Sequence, residues 1–423
     1  MSSIYFNPSE YIRNLQQLLV SDKKKIGFLF GAGTSLVNNP ITKQAYVPAI
    51  KKMTELVENK ININVIYKAA IEEIKTELGD RYTIETLLSN LELKKQVIGI
   101  SIINGLKKSD VDELIKSIKD EIRDLVSIHA TKDQIDIKSL VHTDFAEWIG
   151  KADRKCAVEI FTTNYDYLFE MGLEYKSIPY YDGFTGSYQP FFNGESVDDM
   201  SFLPTQTKLW KIHGSLGWHY DETIKRILRK DSDSKDILIY PSTLKYDQSR
   251  KQPYTALGDR LTNFIKQDDT VLIVCGYSFG DEHINERINT ALSSNHLSHV
   301  YVLYYDLEWG ENGKKTSTLT IDCPMAKIAL ANSKISLFGS RSAVIGGVFG
   351  NWKLKREPDK DDSINIDLYY DEDAYNNLDD EKNKELKQVW SGEGELVLPD
   401  FSRFVYFLKK MVFPNITETG NHE

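Results

Sequence analysis

Cysteine is scarce: Cys156, Cys275 and Cys323 are the only three, far apart and without a C-x-x-C pair. That excludes a disulfide framework and a zinc cluster built from cysteines. No apolar run approaches the roughly 20 residues of a membrane span. The opening MSSIYFNPSEYIRNLQQ has neither the basic start nor the apolar stretch of a secretory signal, so the cytoplasm is the expected compartment. Positive charge is short as well. With 52 basic and 62 acidic side chains the formal charge is −10, which argues against broad affinity for nucleic acid while allowing a local basic patch. The G-x-x-x-x-G-K-[ST] phosphate loop of nucleotide hydrolases is missing.

What is present suffices for a real core: 41% of the 423 residues are apolar, enough for one large domain with insertions or for two to three ordinary ones. Residues 9–20 read as an amphipathic helix capped by Ser9, leading to a strand at 26–30. From about 47 to 150 apolar residues recur every three or four positions, the spacing of helices. Strand-like runs return at 157–162, 208–212, 236–240, 271–275 and 300–305, with helices expected at 164–171, 254–267 and 281–293. Such alternation is the mark of a parallel sheet wrapped by helices. The expected fold is therefore α/β, a doubly wound sheet with a long helical insertion at about 45–150, after its first strand. Toward the end, a strand pair is expected at 326–349, a solvated excursion at 353–384, and a last helix, FSRFVYFLKKMVF. Its apolar face (Phe404, Val405, Leu408, Met411, Val412) suits covering the domain's own sheet or docking a partner.

Four short stretches carry chemistry. In FLFGAGTS an apolar strand runs into Gly31-Ala32-Gly33, followed by Thr34 and Ser35. Glycines there permit a sharp turn and close approach, either as a plain tight turn or around a nucleotide phosphate at a helix start. A dehydrogenase fingerprint is incomplete, since Leu36 stands at its third glycine and Glu55 and Glu58 fall on a helix rather than at a strand end. EIFTTNYDYLFE places Asn164 and Asp166 after a strand, where the Asn either caps a helix or binds hydroxyls of a ligand. KLWKIHGSLGW frees His213 for an exposed turn, as an inert loop residue or as a base. His219 and His283 are ambiguous in the same way, and the spacing of the three shows no metal-binding convergence. VLIVCGYSFGDEHINERI repeats the strand–glycine–helix arrangement with Gly276 and Ser278 before a helix opened by Asp281, again either a capped turn or a contact to phosphate or ribose.

In this order, G-A-G-x-S, T-T-N-Y-D, I-H-G-S and G-Y-S-F-x-D-x-H-I-N resemble the sirtuin family, and more closely the bacterial sirtuin-like domains of antiphage defence. The resemblance covers roughly residues 20 to 310, and the four-cysteine zinc module of deacetylating sirtuins is absent. It implies a Rossmann-like sheet, a catalytic domain over 1–310, and a C-terminal extension, 311–423, on the core or at an interface. It further implies hydrolysis of NAD⁺ to nicotinamide and ADP-ribose without a metal, as a means of depleting NAD⁺. By resemblance Asn164 fixes the ribose hydroxyls and the attacking water, and His213 is the general base. Asp166 binds the carboxamide, while Gly31, Ala32, Gly33, Thr34, Ser35, Gly276 and Ser278 line the NAD⁺ site. It implies a homo-oligomer restrained until a HerA-type ATPase or a signal engages it. A sensor that binds NAD⁺ without turnover, and a protein deacylase working without zinc, remain open alternatives. Because Asn164 and His213 sit at strand ends, replacing either is expected to leave the melting temperature nearly unchanged.

Overall fold

Lys25–Phe30 reads KIGFLF, and every residue from Ile26 onward is buried. A strand covered on both faces belongs in the middle of a parallel sheet. The computed structural model describes residues 4–130, 135–152, 154–221, 223–230, 252–295, 297–309, 315–359, 362–372 and 390–412. Its main sheet has ten strands, in the spatial order Tyr5–Phe6, Val348–Trp352, Ser342–Ile345, Ile335–Phe338, His299–Leu303, Thr270–Cys275, Lys25–Phe30, Glu159–Thr162, Thr207–Lys211, Tyr180–Tyr181. From Ile335–Phe338 to Tyr180–Tyr181 all neighbours are parallel. The chain moves outward from Lys25–Phe30 on one side, then returns to lay Thr270–Cys275 on the other. This is the expected doubly wound α/β fold, and its switch point falls between those two strands.

Alternate residues of the central strands feed two separate cores, as the period of a strand requires. Ile26, Phe28, Phe30, Ile160, Val271 and Ile273 face one core, completed by the helices Pro8–Val20, Val141–Lys151, Leu168–Tyr175 and Phe401–Val412. Leu29, Phe161, Leu272 and Val274 face the other, covered by Tyr254–Ile265, Glu282–Ser294 and Pro324–Ala331. Four helices, Ile50–Ile61, Val65–Leu78, Ile84–Val97 and Lys108–Val126, form an insertion with a core of its own. No helix among the described residues is long and apolar enough to cross a membrane.

Several local expectations change. The first helix starts at Pro8 with Asn7 before it, because proline is pre-set for a first helical position and Ser9 lies inside. The strand pair at 326–349 begins instead as the helix Pro324–Ala331, and strands follow at Ile335–Phe338, Ser342–Ile345 and Val348–Trp352. The sheet thus continues beyond residue 310, and the last helix buries Phe404, Val405 and Leu408 in the same core as Phe28 and Phe30. A small antiparallel sheet (Phe184–Thr185, Phe191–Phe192, Arg226–Arg229, Trp218–Asp221) was not expected. The expected strand at 236–240 lies outside the described residues.

Candidate functional site

Cys275 pairs with Phe30, Phe30 with Thr162, and Thr162 with Lys211. The four strands therefore end flush, and all four marked stretches leave from one carboxyl edge, where open α/β sheets bind ligands.

At the switch point the two glycine turns lock together. Gly33 N donates to Gly276 O at 2.8 Å, and Gly31 N to Cys275 O at 3.3 Å. A Cβ on Gly33 would lie 2.7 Å from Gly276 Cα, and one on Gly31 would lie 2.6 Å from Gly276 O. Gly276 has φ +67°, and a Cβ on it would meet Thr34 N at 2.7 Å. Backbone meeting backbone thus accounts for all three glycines. Gly33 itself is outside the positive-φ region, so only Gly276 needs glycine for its conformation. Thr34 N is also engaged, by Gly31 O at 3.0 Å. Ala32 and Ser278 are exposed at the rim, the Ser278 hydroxyl accepting from Gly280 N at 3.3 Å.

Asn164 is not a helix cap. The helix begins at Leu168, and its first turn is held by Asp166, whose Oδ1 accepts from Leu168 N at 3.1 Å. The Asn164 side chain is buried and reaches across to the glycine turn. Its Nδ2 donates to Gly31 O at 3.1 Å, Thr34 Oγ1 at 3.0 Å and Ser35 Oγ at 2.8 Å. Ser35 Oγ in turn donates to Asp166 Oδ2 at 2.7 Å. Asn164, Thr34, Ser35 and Asp166 are therefore one buried polar cluster joining two strand ends.

His213 follows the Thr207–Lys211 strand, and Gly214 at φ +97° turns the chain away after it. Its Nε2 lies 3.0 Å from Asp281 Oδ2, and both side chains are largely buried. The other Asp281 oxygen caps the helix Glu282–Ser294 through His283 N at 3.0 Å and Ile284 N at 3.3 Å. The strands preceding His213 and Asp281 are separated by Glu159–Thr162 and Lys25–Phe30. Hence this one contact arches over the strand ends that carry Asn164 and the Gly31 turn. Sequence reading saw Asp281 only as a helix opener. Its second role, holding the imidazole, had no signal beyond the acid's place after a strand end. His219 lies on the small sheet, and among the described residues no cluster of His, Cys, Asp or Glu has metal-ligand geometry.

A second buried group was invisible in the sequence. Lys211 Nζ contacts Tyr165 O at 3.2 Å, Asp166 O, Ser215 Oγ at 3.2 Å and Glu170 Oε1 at 2.7 Å. Burial pushes the Glu170 carboxyl above its ordinary value, against the pull of the Lys211 ammonium.

Residues 158–320 match the family model of the SIR2-like domain. The match spans Asn164, Asp166, His213, Gly276, Ser278 and Asp281, and supports a SIR2-like protein. No curated protein matches the chain.

Proposed function

We propose that the chain hydrolyses NAD⁺ at the nicotinamide–ribose bond, giving nicotinamide and ADP-ribose. The observation that carries this reading is the gathering of Asn164, Asp166, His213 and Asp281 at one carboxyl edge. The SIR2-like match over the same residues supports NAD⁺ as the ligand.

Cleavage of that bond builds positive charge on the sugar, so the site must place a polar acceptor and water at the ribose and a base beside them. The amide nitrogen of Asn164 is committed to the glycine turn, which orients its carbonyl oxygen as the group that meets a ribose hydroxyl or the attacking water. His213 is the general base at a ribose hydroxyl or water, with Asp281 fixing the ring. Asp166, held by Ser35 and Leu168, receives the carboxamide. The Gly31–Gly33 turn contributes shape at the phosphates more than donors, because the amides of Gly31, Gly33 and Thr34 are already bonded within the protein.

The test is incubation of purified protein with NAD⁺, following nicotinamide and ADP-ribose. Asn164→Ala and His213→Ala should each lose ~10²-fold or more in turnover, the usual effect of removing an acid–base group. Retention of more than about a tenth in either variant would remove that residue from the mechanism. Activity should persist in EDTA. Nicotinamide release that requires an acylated peptide would point to a deacylase, and binding without turnover to a sensor.

Such an activity in a cytoplasm would drain the cell's own NAD⁺, so it must be restrained. By resemblance to defence proteins, we further propose a homo-oligomer gated by a HerA-type ATPase, acting against phage by NAD⁺ depletion. Light scattering of the isolated chain should show a multimer, and co-expression with such an ATPase should change both mass and rate. A monomer indifferent to the ATPase would overturn this part alone.

A further inference from the structure

We propose that Lys211 is a positioning residue: its buried ammonium ties the loop carrying Asn164 and Asp166 to the turn carrying His213, with Glu170 as its counter-charge. The proposal extends the hydrolase reading above and rests on it for its kinetic consequences, though not for its geometry. Lys211 ends the Thr207–Lys211 strand, two residues before His213. Its side chain is only 4% exposed. The Nζ donates to two consecutive carbonyls, Tyr165 O at 3.2 Å and Asp166 O, and to Ser215 Oγ at 3.2 Å, two residues after His213. Glu170 Oε1 lies 2.7 Å away, and the Tyr167 ring centroid 5.0 Å.

Residues 163–167 lie between a strand and a helix, so regular structure supplies no partner for these two carbonyls. Buried carbonyls need a donor, and a lysine with three N–H groups can satisfy both while reaching a third acceptor. One backbone bond, Leu216 N to Tyr165 O at 3.3 Å, runs beside it. The lysine's contacts thus fall on both loops at once, beside a side-chain bond between Tyr167 and Ser215. A buried cation is tolerated only beside a counter-charge, and Glu170, in the first turn of the helix Leu168–Tyr175, supplies it. A methionine of similar length would fill the volume, donate to neither carbonyl and leave Tyr165 O with the Leu216 N bond alone.

The test compares Lys211→Met/Glu170→Gln, which removes both charges together, with Lys211→Arg and Ser215→Ala, using the full chain. In ligand-free protein, amide exchange at 163–168 and 212–217 should quicken in the double variant, while 271–275 stays protected. Turnover of NAD⁺ should fall by ~10²-fold, the effect of a misplaced catalytic group, with KM moving far less. Lys211→Arg should restore part of kcat. Ser215→Ala, which strands no charge, should quicken exchange at 212–217 while the fold holds, and decides the matter if the double variant does not fold. Unchanged exchange in both loops, or a kcat equal to wild type in the double variant, overturns the proposal. If wild-type protein releases no nicotinamide, the hydrolase reading fails instead, and the exchange data still decide whether Lys211 ties the loops.

Discussion

In the helical insertion, a lysine–carboxylate pair lies on the outside, between Lys52 and Glu55 at 3.0 Å, whose side chains are 63% and 51% exposed. Within the sheet domain ion pairs lie inside at both ends of the strands, Lys211 with Glu170 beneath the carboxyl edge and Arg260 with Glu159 at the amino end of Glu159–Thr162. Arg260, fully buried, gives Nε and Nη2 to the two Glu159 oxygens at 2.9 and 2.6 Å, and Nη1 to Val197 O and Asp199 O. Trp210 Nε1 adds a bond to Glu159 at 2.7 Å. The insertion keeps its apolar side chains together, and its ion pairs range from exposed, as Lys52 with Glu55, to partly buried, as Lys75 with Glu58. The sheet domain buries charge and amide groups and bonds many of them, while Glu170 Oε2 is a buried oxygen with no hydrogen-bond partner among the described residues. Polar groups that are inside and fully bonded fix loop positions, whereas those outside tune little, so the same substitution chemistry should have very different consequences in the two regions.

The widest contrast comes from breaking the buried pair. Arg260→Met strands the Glu159 carboxylate and leaves two backbone carbonyls without their donor, and should cost about 3–5 kcal/mol. A chemical denaturation midpoint measures this. Adding Glu159→Gln should recover part of the loss, and no recovery would mean that packing rather than charge dominates there.

Asn164→Ala sharpens the comparison at the candidate site itself. Sequence reading takes strand-end polar groups as exposed and thermally silent, but Asn164 is buried and donates to three acceptors. Its loss should cost about 1–3 kcal/mol besides turnover, because the Gly31 carbonyl, Thr34 and Ser35 lose a donor. Unchanged melting would mean that a water replaces the amide without penalty.

His142 is a buried polar side chain that departs from this pattern. It sits 1% exposed between the rings of Phe169 and Phe401, and neither ring nitrogen has a hydrogen-bond partner among the described residues. Desolvation drops its pKa from 6.5 to about 3. In the unfolded chain it takes a proton near 6.5; in the folded chain it stays neutral down to about 3. Stability is therefore full above the unfolded value and is lost as pH falls toward the folded one, by about 1.4 kcal/mol per pH unit. His142→Phe should match wild type near neutrality and exceed it progressively at pH 6 and 5 in thermal melts. Parallel curves would show the ring protonated in place.

These cases mark what the sequence could and could not reveal. KIGFLF and TVLIVC were legible as central strands because residues buried on both faces leave an uninterrupted apolar run. The need for close approach at Gly31 and Gly33 was legible too. What approaches was not: the neighbour is Gly276, more than 240 residues away along the chain. Asn164 beside a helix start was equally readable as a cap or a ligand-binding residue, since a local bond and a bond across strands leave the same trace in sequence. Lys211 left no trace at all, because one lysine in KLWKIHG reads as exposed until the loop carbonyls around it are known.

The smallest effect is expected at Lys52→Ala. The pair with Glu55 spans one turn of the helix Ile50–Ile61, and both side chains are more than half in water. An exposed pair gains little Coulomb energy, is screened by salt, and needs two long side chains to be held in one geometry. Removing it should change stability by no more than about 0.5 kcal/mol, and alanine's helix preference offsets part even of that. Raising salt from 0.05 to 0.5 M should erase what difference remains, again measured by denaturation midpoints. NAD⁺ turnover should stay at the wild-type level, since the pair lies in a helix with a core separate from the sheet. A loss above about 1 kcal/mol would show that this surface pair acts like a buried one and would end the distinction between the two regions.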